Sequence, residues 1–338
     1  RQQFEDTQKM QINQHARLSC APMMDWTDRH CRYLHRLMSR HALLYTEMVT
    51  SAALVHGDPA RHLAFDAAEH PLALQLGGSD PAELARAARI GAEWGYDEIN
   101  LNVGCPSDRV QSGAFGAVLM QSPDLVAECL AAMAEAQPRE VTVKCRIGVD
   151  EQVPEVALHA FLRAVEGAGV RRVIVHARKA WLQGLSPKEN RDIQPLDYEL
   201  VARMKAEFPR LHISLNGGIE SLATARAHLD AGFDGVMVGR AAYQRPADLL
   251  LSADRVIFED TPRFDDPRDV VVAMLPYIEA HLGSGGRLHH VTRHMLGLFA
   301  GQTGARAWRR ILSEGANLPG AGPELLEAAL AATQAQAA

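Results

Sequence analysis

The stretch "EINLNVGCPSDRV", residues 98 to 110, places a thiol, Cys105, between a glycine and a proline directly after an alternating apolar run. Glycine and proline interrupt regular structure, so this sulfur is displaced from hydrophobic packing and offered at a strand end. A thiol there can act as a thiolate nucleophile or as a proton donor. The ordinary thiol pKa of about 8.5 leaves most of it protonated near neutrality, which suits a general acid. Two further groups lie inside apolar runs: Lys144 in "VTVKCRIG" and His176 in "RVIVHAR". A buried lysine is costly unless an anion accompanies it, and a nearby histidine could donate to the same ligand. A reduced flavin ring, negative at N1 and O2, is one such anion. A satisfied interior hydrogen-bond network is the plain alternative. Gln75 and Asn102 offer amides to ring edges, and Pro22, Met23 and Met24 in "APMM" could lay backbone and thioether against an aromatic plane, although a lone methionine is more often core.

A second signature ends the β-rich part of the chain. "LNGGIES" supplies Asn216, Gly217 and Gly218, and "GVMVGRAAY" supplies Gly239 and Arg240 before a helical stretch. Paired glycines let backbone amides approach a phosphate, and an arginine adds charge. Tight turns that only require glycine are the alternative. A phosphorylated ligand is expected, either flavin mononucleotide (FMN) or a sugar phosphate.

The elements that must position these residues are eight short β-rich runs, at 18–23, 43–49, 72–78, 98–105, 141–148, 172–178, 212–218 and 235–240, with amphipathic helical segments between them. This alternation predicts a parallel sheet covered by helices, and eight units fit a closed (β/α)8 TIM barrel of class α/β. Parity sharpens the expectation. Ile99, Leu101 and Val103 share one face and leave Asn100 and Asn102 on the other; Thr142, Lys144 and Arg146 oppose Val141, Val143 and Cys145. Polar side chains thus point inward near the carboxyl ends of several strands, where a barrel builds its active site. After a charged break, "EDTPRFDDPRD", the rest shows helical periodicity only. The expected division is a disordered or non-native lead at 1–16, a catalytic barrel at 17–258, and a small all-α bundle at 259–338.

Composition narrows the class. Lys+Arg number 35 against Asp+Glu 41, so no global field advertises a nucleic-acid partner. Five cysteines at irregular spacing, with no C-x-x-C pair, argue against a disulfide framework or zinc site and for a reducing, cytoplasmic interior. No metal is expected. No apolar run approaches the ~20 residues that a membrane span requires.

The segments "LNVGCPS", "APMMDWTDRHCR", "TEMVTSAALVHGD", "HARKAWLQGLSPKENR" and "RHMLGLFAGQTGARAWRR" resemble the tRNA-dihydrouridine synthases, in a combination similar to their A subfamily. The likeness spans 18 to about 314. It implies an FMN-containing TIM barrel with a C-terminal helical domain that reduces uridines of the tRNA D-loop, at 20 and 20a, with NADPH. It implies Cys105 as the proton donor to C5, and Pro22, Met23, Met24, Gln75, Lys144, His176, Asn216, Gly217, Gly218, Gly239 and Arg240 as FMN-binding. Asn102 would sit beside the base. Ala114, where a larger or polar residue is expected, is a departure. Charge distribution adds to the RNA reading: residues 287–310 hold Arg287, Arg293, Arg306, Arg309 and Arg310 with no acid. Arg306 and Arg309, and likewise Lys188 and Arg191, are three apart, and these four are the expected tRNA contacts; a solvated basic helix is the alternative. Trp181 or Trp308 could hold RNA, unless they are core. No Rossmann glycine motif follows a strand, so the nicotinamide donor is expected to bind transiently, and the chain to act as a monomer. The competing expectations are an FMN barrel acting on free pyrimidines, of the dihydroorotate dehydrogenase kind, a phosphosugar isomerase, and an RNA-binding module without chemistry.

Overall fold

The computed structural model describes residues 12–107, 110 and 114–335. Eight parallel strands, β1 (Leu18–Cys20), β2 (Leu43–Thr50), β3 (Leu72–Gly77), β4 (Glu98–Val103), β5 (Glu140–Arg146), β6 (Arg172–His176), β7 (His212–Asn216) and β8 (Gly235–Val238), close in sequence order, β8 pairing with β1. All eight predicted runs are strands. All but β2 stop one to three residues before the run does, because the polar or glycine-rich ends leave the ladder to form the mouth.

Helices form where amphipathic segments carry start signals. Pro81–Trp94 is capped by the Asp80 carboxylate, which accepts from Glu83 N, and Gly95 ends it at φ 99°. Pro123–Ala136 begins after Ser122 without a side-chain cap. The apolar strand faces Ile99, Leu101, Val103, Val143 and Cys145 pack outward against these helices. A smaller interior cluster of Leu43, Tyr45, Ala73, Ile174 and Met237 is closed below by Ile12 and Ala16. The expected disordered lead therefore ends earlier than residue 16: Ile12 and Ala16 are buried under the barrel, and Asn13 Oδ1 accepts from Arg172 Nε at 3.1 Å. Residues 1–11 of that lead lie outside the described residues.

A chain of polar side chains runs up the inside. Arg172 pairs with Glu98, whose carboxylate also accepts from Tyr45 Oη at 2.6 Å and from Thr142 Oγ1. Above it, Asn100 donates to Thr142 Oγ1 at 2.8 Å, Gln75 donates to Asn100 Oδ1 at 2.9 Å, and Asn102 donates to Gln75 Oε1 at 2.9 Å. Each buried amide is thus satisfied by the next, the condition for a polar interior to hold one geometry.

Beyond Phe258 the described elements are helical, at Pro267–Gly283, Leu288–Thr292, Ala305–Gly315 and Glu324–Ala335. They join the barrel through Asp28, which caps helix Arg29–Met38 and also accepts from Arg293 Nη2 at 2.7 Å and from His294 Nε2 at 3.0 Å. Burial pushes the Asp28 carboxyl up, but the bonds from His294, Cys31 N and Arg293 outweigh it and hold the group well below the usual carboxylate range.

Candidate active site

The strand register gathers the expected residues at the carboxyl ends. Asn102 lies opposite Lys144, Arg146 opposite His176, and His176 opposite Asn216, so they line one rim of the mouth. Lys144 is half-buried, and among the described residues its amine has no hydrogen-bond or ion-pair partner. Burial, then Arg146, pull it from 10.5 down to about 8. His176, 8% exposed, is held far below its usual range by burial and by the charges of Arg146, Lys144, Arg178 and Arg191. It is therefore a neutral imidazole at pH 7.

The positive charge at this rim is only partly answered. Arg240 pairs with Asp192 at 2.8 Å, while Lys144, Arg146, Arg178 and Arg191 have no carboxylate partner among the described residues. Arg178 Nε and Arg191 Nε are buried without a partner. Such a cluster destabilises the fold by mutual repulsion and favours an anion beside it. Gly217 and Gly218, at φ 109° and 70°, turn the chain here. A Cβ on Gly217 would meet the His176 ring at 2.7 Å, and one on Gly218 would meet Leu196 at 2.4 Å, so both positions require glycine. Gly239 differs, because a Cβ there would find only ordinary contacts at 3.7 Å and beyond. The helix that follows it, Arg240–Gln244, has five residues and no side-chain cap, which leaves Arg240 to supply most of the charge. Asn216 Nδ2 is tied to Met237 O at 2.9 Å.

Gln75 differs from its expected role in one respect: both ends of its amide are already engaged, with Asn100 and Asn102, so only its remaining hydrogen and lone pair are available. Asn102 holds the cysteine loop, its Oδ1 accepting from Gly104 N at 3.1 Å and Cys105 N at 3.0 Å. Ala117 N donates to Cys105 O at 2.9 Å, and Arg146 Nε to Gly104 O at 3.1 Å. Cys105 is half-buried with Sγ 3.4 Å from Ser107 Oγ. The other four cysteines are buried, and burial raises Cys20, Cys129 and Cys145 to about 12. Ala114 adopts φ 54°, an uncommon conformation for a residue with a side chain, and residues 111–113 lie outside the described residues.

Pro22 and Met23 are half-buried and Met24 is 52% exposed at the mouth. Their loop is braced by Thr27 Oγ1, which accepts from Met23 N at 3.0 Å, and by Glu47 Oε1, which accepts from Asp25 N at 2.6 Å. Glu47, Asn190 and Asp192 carry no signal in the sequence that marks them. Arg146 is marked by the inward parity it shares with Lys144.

Of the expected RNA contacts, Lys188, Arg306 and Arg309 are exposed, and Arg191 is half-buried within the cation cluster. Trp308 is core, fully buried with Nε1 donating to Met295 O at 2.9 Å. Trp181 is half-buried, with Lys179 Nζ 4.9 Å from its ring centre. Arg293, counted with the free basic residues, is engaged by Asp28.

The family model described as dihydrouridine synthase matches residues 19–334. The tRNA-dihydrouridine(20/20a) synthase of Shewanella oneidensis is 58% identical across 94% of this chain and 93% of its own. The tRNA-dihydrouridine(20/20a) synthase of Escherichia coli is 56% identical across 96% and 93%. The old yellow enzyme homologue from Zymomonas mobilis superposes with a TM-score of 0.50 at 13% identity, over 75% of this chain and 91% of that one, a likeness of fold alone.

Proposed function

The chain belongs to the dihydrouridine synthase family, and from that premise we propose that it reduces the C5–C6 double bond of D-loop uridines in tRNA, at positions 20 and 20a as in its relatives' names. FMN is the proposed cofactor and NADPH the reductant. The observation that carries this reading is the unanswered positive charge at the mouth, set beside a half-buried thiol on a braced loop.

The residues fit an anionic, phosphorylated cofactor. Arg240 with the Gly217–Gly218 backbone would hold the phosphate, Lys144 and the neutral His176 the electron-rich edge of the ring, and Gln75 and Met23 its remaining edge and face. Bound there, a reduced flavin supplies a hydride to C6 of the uracil.

Cys105 gives its proton to C5, which balances the addition of H⁻ and H⁺ across the double bond and leaves a thiolate. Lys144, opposite Asn102 in the strand register, and Arg146, bonded to Gly104 O, bring positive charge to the rim beside that sulfur and stabilise the negative charge that develops on it. The thiol regains a proton from solvent before the next turnover. Asn102 fixes the loop main chain on both sides of the Gly104–Cys105 peptide and keeps one amide hydrogen for the base. A uracil reaches this site only after leaving its stack, at a cost of a few kcal/mol. Lys188, Arg306 and Arg309 answer that cost by binding phosphates, as does Arg191 where the cofactor leaves it free.

The test is to map dihydrouridine in tRNA from cells with and without this protein, and to treat the unmodified tRNA with purified protein and NADPH. Dihydrouridine appearing at 20 and 20a is the expected result. A colourless protein without flavin absorption, or turnover of free pyrimidines in place of tRNA, would overturn the reading.

A further inference from the structure

Arg146 is a buried cation whose hydrogen bonds go to main chain rather than to an acid. It closes β5, is 4% exposed, and donates from Nε to Gly104 O and from Nη1 to Asn190 O, each at 3.1 Å. The two carbonyls belong to different loops. Gly104 immediately precedes Cys105. Asn190, fully buried, shapes the loop after β6: its Oδ1 accepts from Trp181 N at 2.7 Å, and its Nδ2 donates to Trp181 O at 2.9 Å and more weakly to Leu185 O and Ser186 O. That loop carries Lys179, Trp181, Lys188 and Arg191, and it is zipped to the loop after β5 by Ala180 N to Gly148 O at 3.0 Å and Asp150 N to Ala180 O at 2.8 Å. The planar guanidinium presents donors in fixed directions, so one rigid group sets the separation of the two carbonyls; an ammonium would hold one or the other.

We infer that Arg146 is a positioning residue that ties the RNA-facing loop 179–192 to the main chain carrying Cys105, so that RNA contact on this loop is transmitted to the placement of the sulfur. The RNA half of this inference rests on the proposed function; the tether itself does not. Without Arg146 the Gly104 carbonyl loses this donor, while the bonds from Asn102 and Ala117 to the main chain of Gly104 and Cys105 remain.

The test uses the flavin-loaded Arg146→Lys enzyme, with three readouts: iodoacetamide alkylation of Cys105 without RNA, flavin content with its reduction by NADPH, and kcat and KM on unmodified tRNA. Burial of the other cysteines makes the alkylation selective. The expected result is alkylation faster by ~3-fold or more and kcat lower by ~10-fold or more, the scale of a misplaced catalytic group, with KM for tRNA within ~2-fold and flavin content and reduction as in wild type. Arg146→Gln, which buries no charge and keeps one donor, is expected to lower kcat alike, whereas its alkylation is expected to be slower than that of Arg146→Lys because a cation beside the sulfur is lost. Unchanged alkylation overturns the tether. A raised KM with kcat retained makes Arg146 an RNA contact instead, flavin loss makes it a cofactor ligand, and failure of both variants to fold makes it a structural residue; each of these overturns the inference. A wild-type enzyme inert toward tRNA sinks the functional reading instead, and the alkylation comparison tells the two failures apart.

Discussion

Replacing Lys144 with methionine should stabilise the flavin-free protein while weakening its hold on the reduced cofactor. In the folded chain the amine falls from its ordinary 10.5 to about 8, burial being the largest cause and Arg146 the next. At ~1.4 kcal/mol per pH unit, this is an electrostatic burden of about 3 kcal/mol, reduced to ~1–3 kcal/mol because the mouth admits some water. The sign follows from linkage. Near pH 7 both folded and unfolded states hold the proton, and the folded state bears the whole burden. As pH rises through 8 the folded amine deprotonates first, so wild-type stability climbs until the unfolded lysine also titrates near 10.5. Urea unfolding of flavin-stripped Lys144→Met at pH 7 should therefore show a gain over wild type, shrinking as pH rises from 8. If an anion on the cofactor removes that burden, affinity of the variant for the reduced flavin should fall by up to ~100-fold. A flavin-free variant that is no more stable than wild type at pH 7, or a gain that does not change with pH, would refute the reasoning.

Arg306→Ala combined with Arg309→Ala should weaken tRNA binding and reduce the dependence of log Kd on log salt by about two, measured by filter binding across a salt series; an unchanged slope removes both residues from the interface. Asp192→Asn frees Arg240 from its 2.8 Å partner and removes a negative charge from the proposed phosphate site. FMN fluorescence titration should register a change in affinity there with little effect on tRNA binding. Asp28→Asn should cost ~1–3 kcal/mol, because it weakens a helix cap and two contacts to the C-terminal helices. Since the folded carboxyl lies below its unfolded value, that contribution is present above about pH 4 and lost as pH falls toward the folded value. The variant's melting temperature should lack this acid-range decline.

Eight strands and their inward faces were legible because alternation has a period of two and a barrel allows only one side to meet helices. That parity brought Asn102, Lys144, His176 and Asn216 to one rim. Apart from Asp192, which answers the Arg240 side chain, the residues left unread act through main chain. Asn190 and Arg146 are defined by the carbonyls they hold, and nothing in the spacing of "SPKENR" and "VTVKCRIG" reveals that two loops meet across one guanidinium. Trp308 illustrates the converse: beside arginines in sequence it reads as an RNA platform, yet the helix turns its face toward Phe299 and Met295. The basic stretch 287–310 likewise looks uniformly free until folding brings Asp28 to Arg293 and His294.

The central claim, that Cys105 donates the proton to C5, is tested most directly by single-turnover reaction of pre-reduced Cys105→Ala with unmodified tRNA. Flavin should be retained and reduced by NADPH as in wild type while its reoxidation by tRNA, with the accompanying dihydrouridine, slows by ~10²-fold or more. Reoxidation by tRNA at the wild-type rate would contradict it.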